Sequence, residues 1–165
     1  PALNAAAGIC YIPQGSKVFD KLTVQENLEM VGVLIRKRSE LVDRIAAIYL
    51  QFPKLAKYKN TFAGRLSGGE RQMVGVCRGL IMQPDMILID EPSIGLAPVL
   101  VQQTMELIHT VREKFRTTVL IVEQNVPAML TIADRVYLLS TGKVIHEEQA
   151  VDQDTEQRLR ALFLK

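Results

Sequence analysis

Two short stretches of this sequence carry residue types whose spacing suits work on a phosphate. The first is Leu66-Ser-Gly-Gly-Glu70. Ser67 and Glu70 stand three residues apart ahead of a periodic apolar segment (Met73, Val76, Cys77, Leu80, Ile81), a capping-box pattern that predicts a helix opening at Ser67. A plain cap needs only those two residues. Gly68 and Gly69 in the first turn add an entropic cost that capping does not require. Without a Cβ they let a bulky anion approach the unpaired amides and the positive end of the helix dipole, and the Ser67 hydroxyl is a further donor. The second stretch is Met86-Ile-Leu-Ile-Asp-Glu-Pro92, an apolar run ending in two carboxylates. A run without alternation predicts a strand of a parallel sheet covered on both faces. Its C-terminal end is where open α/β sheets bind ligands. Asp90 at that end suits a hard cation that keeps its waters, as Mg²⁺ does beside phosphates, and Glu91 suits a base that polarises an attacking water. Neighbours on a strand point to opposite faces, so the two carboxylates should divide the work rather than form a dyad. Two solvated charges at a strand end are the bland alternative.

The elements that must hold these residues can be read from periodicity. Ile9–Ile12 is a short buried strand closed by Pro13, which cannot donate to a ladder. Thr23 with Glu26 forms another capping box ahead of Leu28, Met30 and Val31. Leu41, Ile45, Ile48 and Phe52 give an amphipathic helix over Glu40–Phe52 that ends at Pro53, and Lys54–Lys59 reads as a solvated basic connection. The helix opened at Ser67 is stopped by Pro84. Val101–Phe115 is helical, and with the strands Met86–Ile89 and Thr117–Val122 on either side it makes a βαβ unit, right-handed almost without exception. A short helix at Val126–Ala133, a hairpin of Val136–Leu139 with Lys143–His146, and a last helix at Thr155–Leu164 complete the chain. The class is α/β, with helices inserted between the first strand and the second, and fold class alone does not give function.

Composition excludes several other classes. The 165 residues suffice for one domain with a core, and 48% apolar with 23% charged residues argues against wholesale disorder. A net charge of +2 is too weak a field to argue for nucleic acid. No apolar run approaches the ~20 residues of a membrane span, and no secretory leader pattern opens the sequence. Cys10 and Cys77 lie far apart without CxxC spacing, so they are expected as buried free thiols in a reducing compartment, not as a disulfide or zinc site.

Taken together, the motifs resemble the ATP-binding-cassette ATPase family. The matching order is Gln14 in a loop after a strand, LSGGE at 66–70, ILIDEP at 87–92, a turn at Ser93-Ile-Gly-Leu-Ala-Pro98 resembling the family's D-loop, and a strand ending near Glu123-Gln124-Asn125. The resemblance covers essentially the whole chain. It implies a P-loop NTPase fold lacking its N-terminal part, with a parallel-sheet core from residues 1–21 and 83–165 and a helical subdomain at 22–82. It implies ATP and Mg²⁺ as ligands. Asp90 would be the Walker B aspartate on Mg²⁺, Glu91 the general base, and Gln14 the link from the metal and γ-phosphate to the membrane-facing helices. Ser67, Gly68, Gly69 and Glu70 would form the signature motif, which contacts the nucleotide held by the opposite subunit. The implied partners are a second ATPase subunit and transmembrane permease subunits, with a periplasmic substrate-binding protein acting indirectly. The implied location is the cytoplasmic face of the plasma membrane, as a peripheral subunit.

Two departures matter. No G-x-x-x-x-G-K-[ST] occurs, and the sequence enters an apolar strand almost at once from Pro1, which suggests that the amino-terminal part of a larger domain is absent. As given, the chain is expected neither to bind ATP tightly nor to hydrolyse it. The switch position after the Thr117–Val122 strand usually carries a His in this family, and here the candidate is Gln124, which can donate a hydrogen bond but cannot take up a proton. His109 and His146 do not fill that role, and both are expected on the surface. The Pro92–Pro98 and Val122–Asn125 stretches, with Tyr11–Gly15 and Val18–Asn27, are similar to the second ATPase subunit of branched-chain amino-acid importers. Importers of other hydrophobic amino acids, urea or amides stay open. The alternatives are a soluble cassette protein acting on ribosomes or DNA, which usually carries fused cassettes or long coiled-coil insertions, and a non-catalytic interaction fragment.

Overall fold

A computed structural model describes residues 4, 7–15, 17–149 and 154–163. The chain divides into two compact units, Pro1–Val122 and Glu123–Lys165. In the first unit, β1 (Ile9–Ile12) is followed by four α-helices, α1 (Val24–Glu29), α2 (Arg38–Gln51), α3 (Pro53–Lys57) and α4 (Gly68–Leu80), with short 3-10 turns at Met30–Leu34 and Ala63–Arg65. The chain then enters β2 (Met86–Asp90), α5 (Pro98–Phe115) and β3 (Thr118–Val122). The strands form a parallel sheet in the order β1-β2-β3, with Ile12 opposite Ile89 and Asp90 opposite Val122. Both crossovers are long, as parallel pairing requires.

The sheet departs from the expectation of two covered faces. Paired residues on parallel strands share a face, so Ile12, Ile87 and Ile89 lie on one side and are buried. Tyr11, Leu120 and Val122 lie on the other and are 58%, 48% and 56% exposed. An unbroken apolar run reports two apolar faces, and among the described residues only one of them is filled. Gly79 lets α4 approach β1, because a Cβ there would sit 2.8 Å from the Cys10 sulfur and 3.6 Å from Ile12 Cδ1.

Both capping boxes form. The Thr23 hydroxyl accepts from the Glu26 N–H while the Thr23 N–H donates to the Glu26 carboxylate at 2.7 Å. Ser67 and Glu70 repeat the arrangement at the head of α4. The basic stretch after Pro53 is not a plain solvated connection. Pro53 closes α2 and also starts α3, because its fixed φ and missing N–H cost nothing at a first helical position. Leu55, on α3, is 1% exposed and is as deeply buried as Leu28, Ile48 and Leu80. Burial of each such side chain is worth about 1.5–3 kcal/mol. Phe52 and Phe115 stack with centroids 6.2 Å apart. Helix α4 ends at Leu80, before Pro84 can stop it, and α5 starts at Pro98, three residues earlier than periodicity suggests.

The second unit holds α6 (Val126–Leu130), the antiparallel hairpin β4 (Arg135–Ser140) with β5 (Lys143–Gln149), and α7 (Thr155–Phe163). Its turn residues Thr141 and Gly142 both have positive φ, the geometry that tight hairpins favour. Among its described residues, Leu138 and Leu159 are the buried apolar ones. Helix α6 stops short of the expected Ala133, and the expected helix residue Leu164 lies outside the described residues. Both cysteines are free, Cys77 buried and Cys10 half-buried.

Candidate functional site

Asp90 is the last residue of the central strand, and it is half-buried on the open face with Tyr11. The Tyr11 hydroxyl donates to Asp90 Oδ2 at 3.0 Å. Glu91 is not a strand residue. Its φ of +43° places it in the left-handed region, which costs a non-glycine residue roughly 1–2 kcal/mol. The Glu91 N–H holds this bend by donating to the Val122 carbonyl at 2.9 Å. Its carboxylate receives the Gln14 side-chain amide, Nε2 to Oε2, at 2.9 Å. The two carboxylates therefore take separate donors, and they are set apart by a backbone bend after the strand, not by strand alternation. Each takes its donor from β1 or the loop that leaves it.

Ser67 opens α4 with an exposed side chain, while Gly68, Gly69 and Glu70 are half-buried. The Ser67 hydroxyl accepts from the Glu70 N–H and donates to Glu70 Oε2 at 2.9 Å, and the Ser67 N–H donates to that same oxygen at 2.9 Å. Burial pushes the Glu70 carboxyl up. The Ser67 N–H, the Tyr58 hydroxyl and the Ser67 hydroxyl more than offset this and hold it below the usual range. The glycines have a packing role that the sequence does not reveal. A Cβ at Gly68 would lie 3.0 Å from Leu96 Cδ2, and one at Gly69 would lie 3.1 Å from Leu100 Cδ2. Close docking of α4 on the start of α5 thus accounts for part of their cost.

A cleft of about 370 Å³ brings several of these elements together, lined among others by Gly15, Lys17, Gly68, Arg71, Glu91 and Leu96. The loop after β1, the head of α4, the base candidate and the turn before α5 all border it. Gln124 falls in the second unit, exposed, with its carbonyl accepting from the Val126 N–H. His109 is exposed, as expected. His146 is half-buried instead, its Nε2 3.2 Å from Glu148 Oε2. Among the described residues no group of three or more His, Cys, Asp or Glu could hold a metal ion.

Sequence reasoning missed Tyr11 and Asn27. Tyr11 could have been found by asking which neighbour shares the face of Asp90, but that needs the register. Asn27 is fully buried and ties the chain after Gln14 to α1. Its signal was an amide side chain on the apolar side of a capped helix.

A glycine-headed helix, a carboxylate-tipped central parallel strand and a glutamine loop meet around one cleft. The chain belongs to the ABC transporter family, whose pattern it matches over residues 3–94. It is 38% identical over 156 residues to the high-affinity branched-chain amino acid transport ATP-binding protein BraG of Pseudomonas aeruginosa, covering 94% of this chain and 66% of that protein. It is 39% identical over 144 residues to the probable branched-chain amino acid transport ATP-binding protein LivF of Archaeoglobus fulgidus, covering 87% and 61%. The chain thus spans under two thirds of the length of both. Its fold is similar to the ADP conformation of MJ1267, an ATP-binding cassette of an ABC transporter, with a TM-score of 0.83 at 25% identity over 97% of this chain and 67% of that one. A nucleotide-free ATP-binding cassette shares the fold with a TM-score of 0.79 over 98% of this chain and 68% of its own, at 23% identity. Among the described residues no helix is long and apolar enough to cross a membrane.

Proposed function

We propose that these residues belong to the ATP-hydrolysing subunit of an importer of branched-chain amino acids, working as one of a pair of cassettes on the cytoplasmic face of the membrane. The observation that carries the reading is the pairing of Asp90 and Glu91 at the tip of β2, with Gln14 on Glu91 and the head of α4 on the same cleft. In this reading Asp90, whose Oδ2 accepts from the Tyr11 hydroxyl, would hold Mg²⁺. Bound Mg²⁺ supplies charge neutralisation on the phosphates. Glu91 takes the proton of the attacking water, and the left-handed bend aims its carboxylate into the cleft rather than along the sheet. Gln14 steadies that carboxylate through Nε2 and offers its amide oxygen to the metal. Ser67, Gly68 and Gly69 form the edge that faces the nucleotide of the opposite cassette; the Gly68 and Gly69 amides are its donors, because the Ser67 N–H and hydroxyl both donate to Glu70, which keeps Ser67 in its capping pose. Gln124 takes the switch position, donating a hydrogen bond to the γ-phosphate without carrying a proton.

The 165 residues contain no G-x-x-x-x-G-K-[ST] loop, so by themselves they are proposed not to hold MgATP tightly or turn it over. Permease subunits would receive the motion of the helical segment 22–82, and a periplasmic binding protein would choose the substrate. The branched-chain assignment is supported by the names of the relatives above. The test is Ser67→Arg in a cassette that joins these residues to a phosphate-cradling loop. Turnover should fall on the order of a hundredfold while nucleotide affinity of the isolated cassette holds, because the blocked donors serve the opposite copy. Unchanged turnover would remove the signature role.

A further inference from the structure

Helix α4 ends where the chain beyond Gln14 passes. Arg78, on its last turn, donates from Nη2 to the Lys17 carbonyl at 2.8 Å. The same guanidinium lies over the Phe19 ring, 5.6 Å from its centroid. Phe19 is itself pinned through its backbone. Its N–H donates to Asn27 Oδ1 at 2.8 Å, and its carbonyl accepts from Asn27 Nδ2 at 3.1 Å. The residue after Arg78 is Gly79, whose bare Cα lets α4 press against Cys10 and Ile12 of β1. Gln14, whose amide rests on Glu91, lies three residues before Lys17.

We infer that Arg78 is a positioning residue: with Phe19 it forms a clasp that ties the chain leaving Gln14 to the far end of the helix that Ser67 opens. One rigid helix then has the donors for an opposite nucleotide at its head and the tether for Gln14 at its tail. A displacement of α4 is passed to Gln14, and through it to Glu91, without any change inside the sheet. The guanidinium suits this task better than an ammonium, because its planar face covers the ring while an edge N–H reaches the carbonyl. The inference rests on the proposed roles of Gln14 and Glu91, but its test does not need nucleotide.

The test is made on the nucleotide-free chain by amide hydrogen exchange and by the NMR signals of the Gln14 side-chain amide. Arg78→Met keeps the apolar stem and removes both contacts. It should speed exchange at the Phe19 and Leu22 amides by about tenfold and shift the Gln14 amide signals, while exchange in β2 stays unchanged. Arg78→Lys, which keeps a charge over the ring and one donor, should recover most of the loss. Faster exchange spread equally over α4 and β2 would overturn the inference, since that is what general destabilisation does. Unmoved Gln14 signals would also overturn it. If Arg78→Met does not fold, Phe19→Leu is read instead, with a smaller change expected in the same direction, and no change at either site refutes the clasp. Loss of the ATPase reading would leave these outcomes untouched, so the two failures are distinguishable.

Discussion

Asn27 is the residue on which the path of the chain after Gln14 depends most. It is fully buried in α1, and its side chain makes four hydrogen bonds: from the Phe19 N–H, and to the carbonyls of Phe19, Leu22 and Thr23. Asn27→Ala does not leave all four partners bare. The Phe19 carbonyl also accepts from the Leu22 N–H, the Leu22 carbonyl from the Ala63 N–H, and the Thr23 carbonyl from the backbone of residue 27 itself. The Phe19 N–H is the donor left without its partner, at about 1–3 kcal/mol. Three further lost bonds at part of the usual ~1 kcal/mol each, less ~0.6 kcal/mol of helix propensity gained by alanine, bring the expected loss to about 2–4 kcal/mol. Asn27→Asp should be worse than alanine. It keeps the acceptor for Phe19 but turns a carboxylate toward three carbonyl oxygens in a buried site. Urea unfolding followed by circular dichroism measures both. A loss under ~0.5 kcal/mol for alanine, or an aspartate variant more stable than the alanine one, would refute the account of this loop.

Other consequences are simpler. Gly79→Ala places a methyl 2.8 Å from the Cys10 sulfur. Overpacking of about 1–3 kcal/mol should exceed the ~1 kcal/mol that alanine gains in a helix, and adding Cys10→Ala should restore much of the thermal midpoint. The Glu70 carboxyl titrates lower in the folded chain than in the unfolded one. Its contribution is therefore present above the unfolded pKa and is lost as pH falls through the folded value. The gap in thermal midpoint between the wild type and Glu70→Gln should be widest near neutrality and close in acid, and a gap independent of pH would contradict this.

Much of the local structure was legible because its causes are local. Thr23 with Glu26 and Ser67 with Glu70 reach only three residues along the chain, and both boxes form where the sequence places them. The carboxylates at the end of β2 were legible because an apolar run of four residues that ends in two carboxylates has few other uses in an α/β chain. What escaped was set by contacts distant in sequence. Leu55 is in the core because α3 packs against α2 and α4, while the three lysines around it read as a solvated connection. The bend at Glu91 depends on an N–H bonding to Val122, thirty-one residues away. The leucines against Gly68 and Gly69 are more than twenty-five residues on, so a motif that looked chemical also proved to be a packing device.

In the proposed function Glu91 works on a nucleotide shared between two copies. ATP-dependent association of Glu91→Gln, followed by light scattering in a cassette that joins these residues to a phosphate-cradling loop, addresses it most directly. The account predicts a stable dimer on MgATP with hydrolysis reduced at least a hundredfold, since the water loses its base while the phosphate contacts remain. A variant that stays monomeric on MgATP, or that hydrolyses at the wild-type rate, would contradict it.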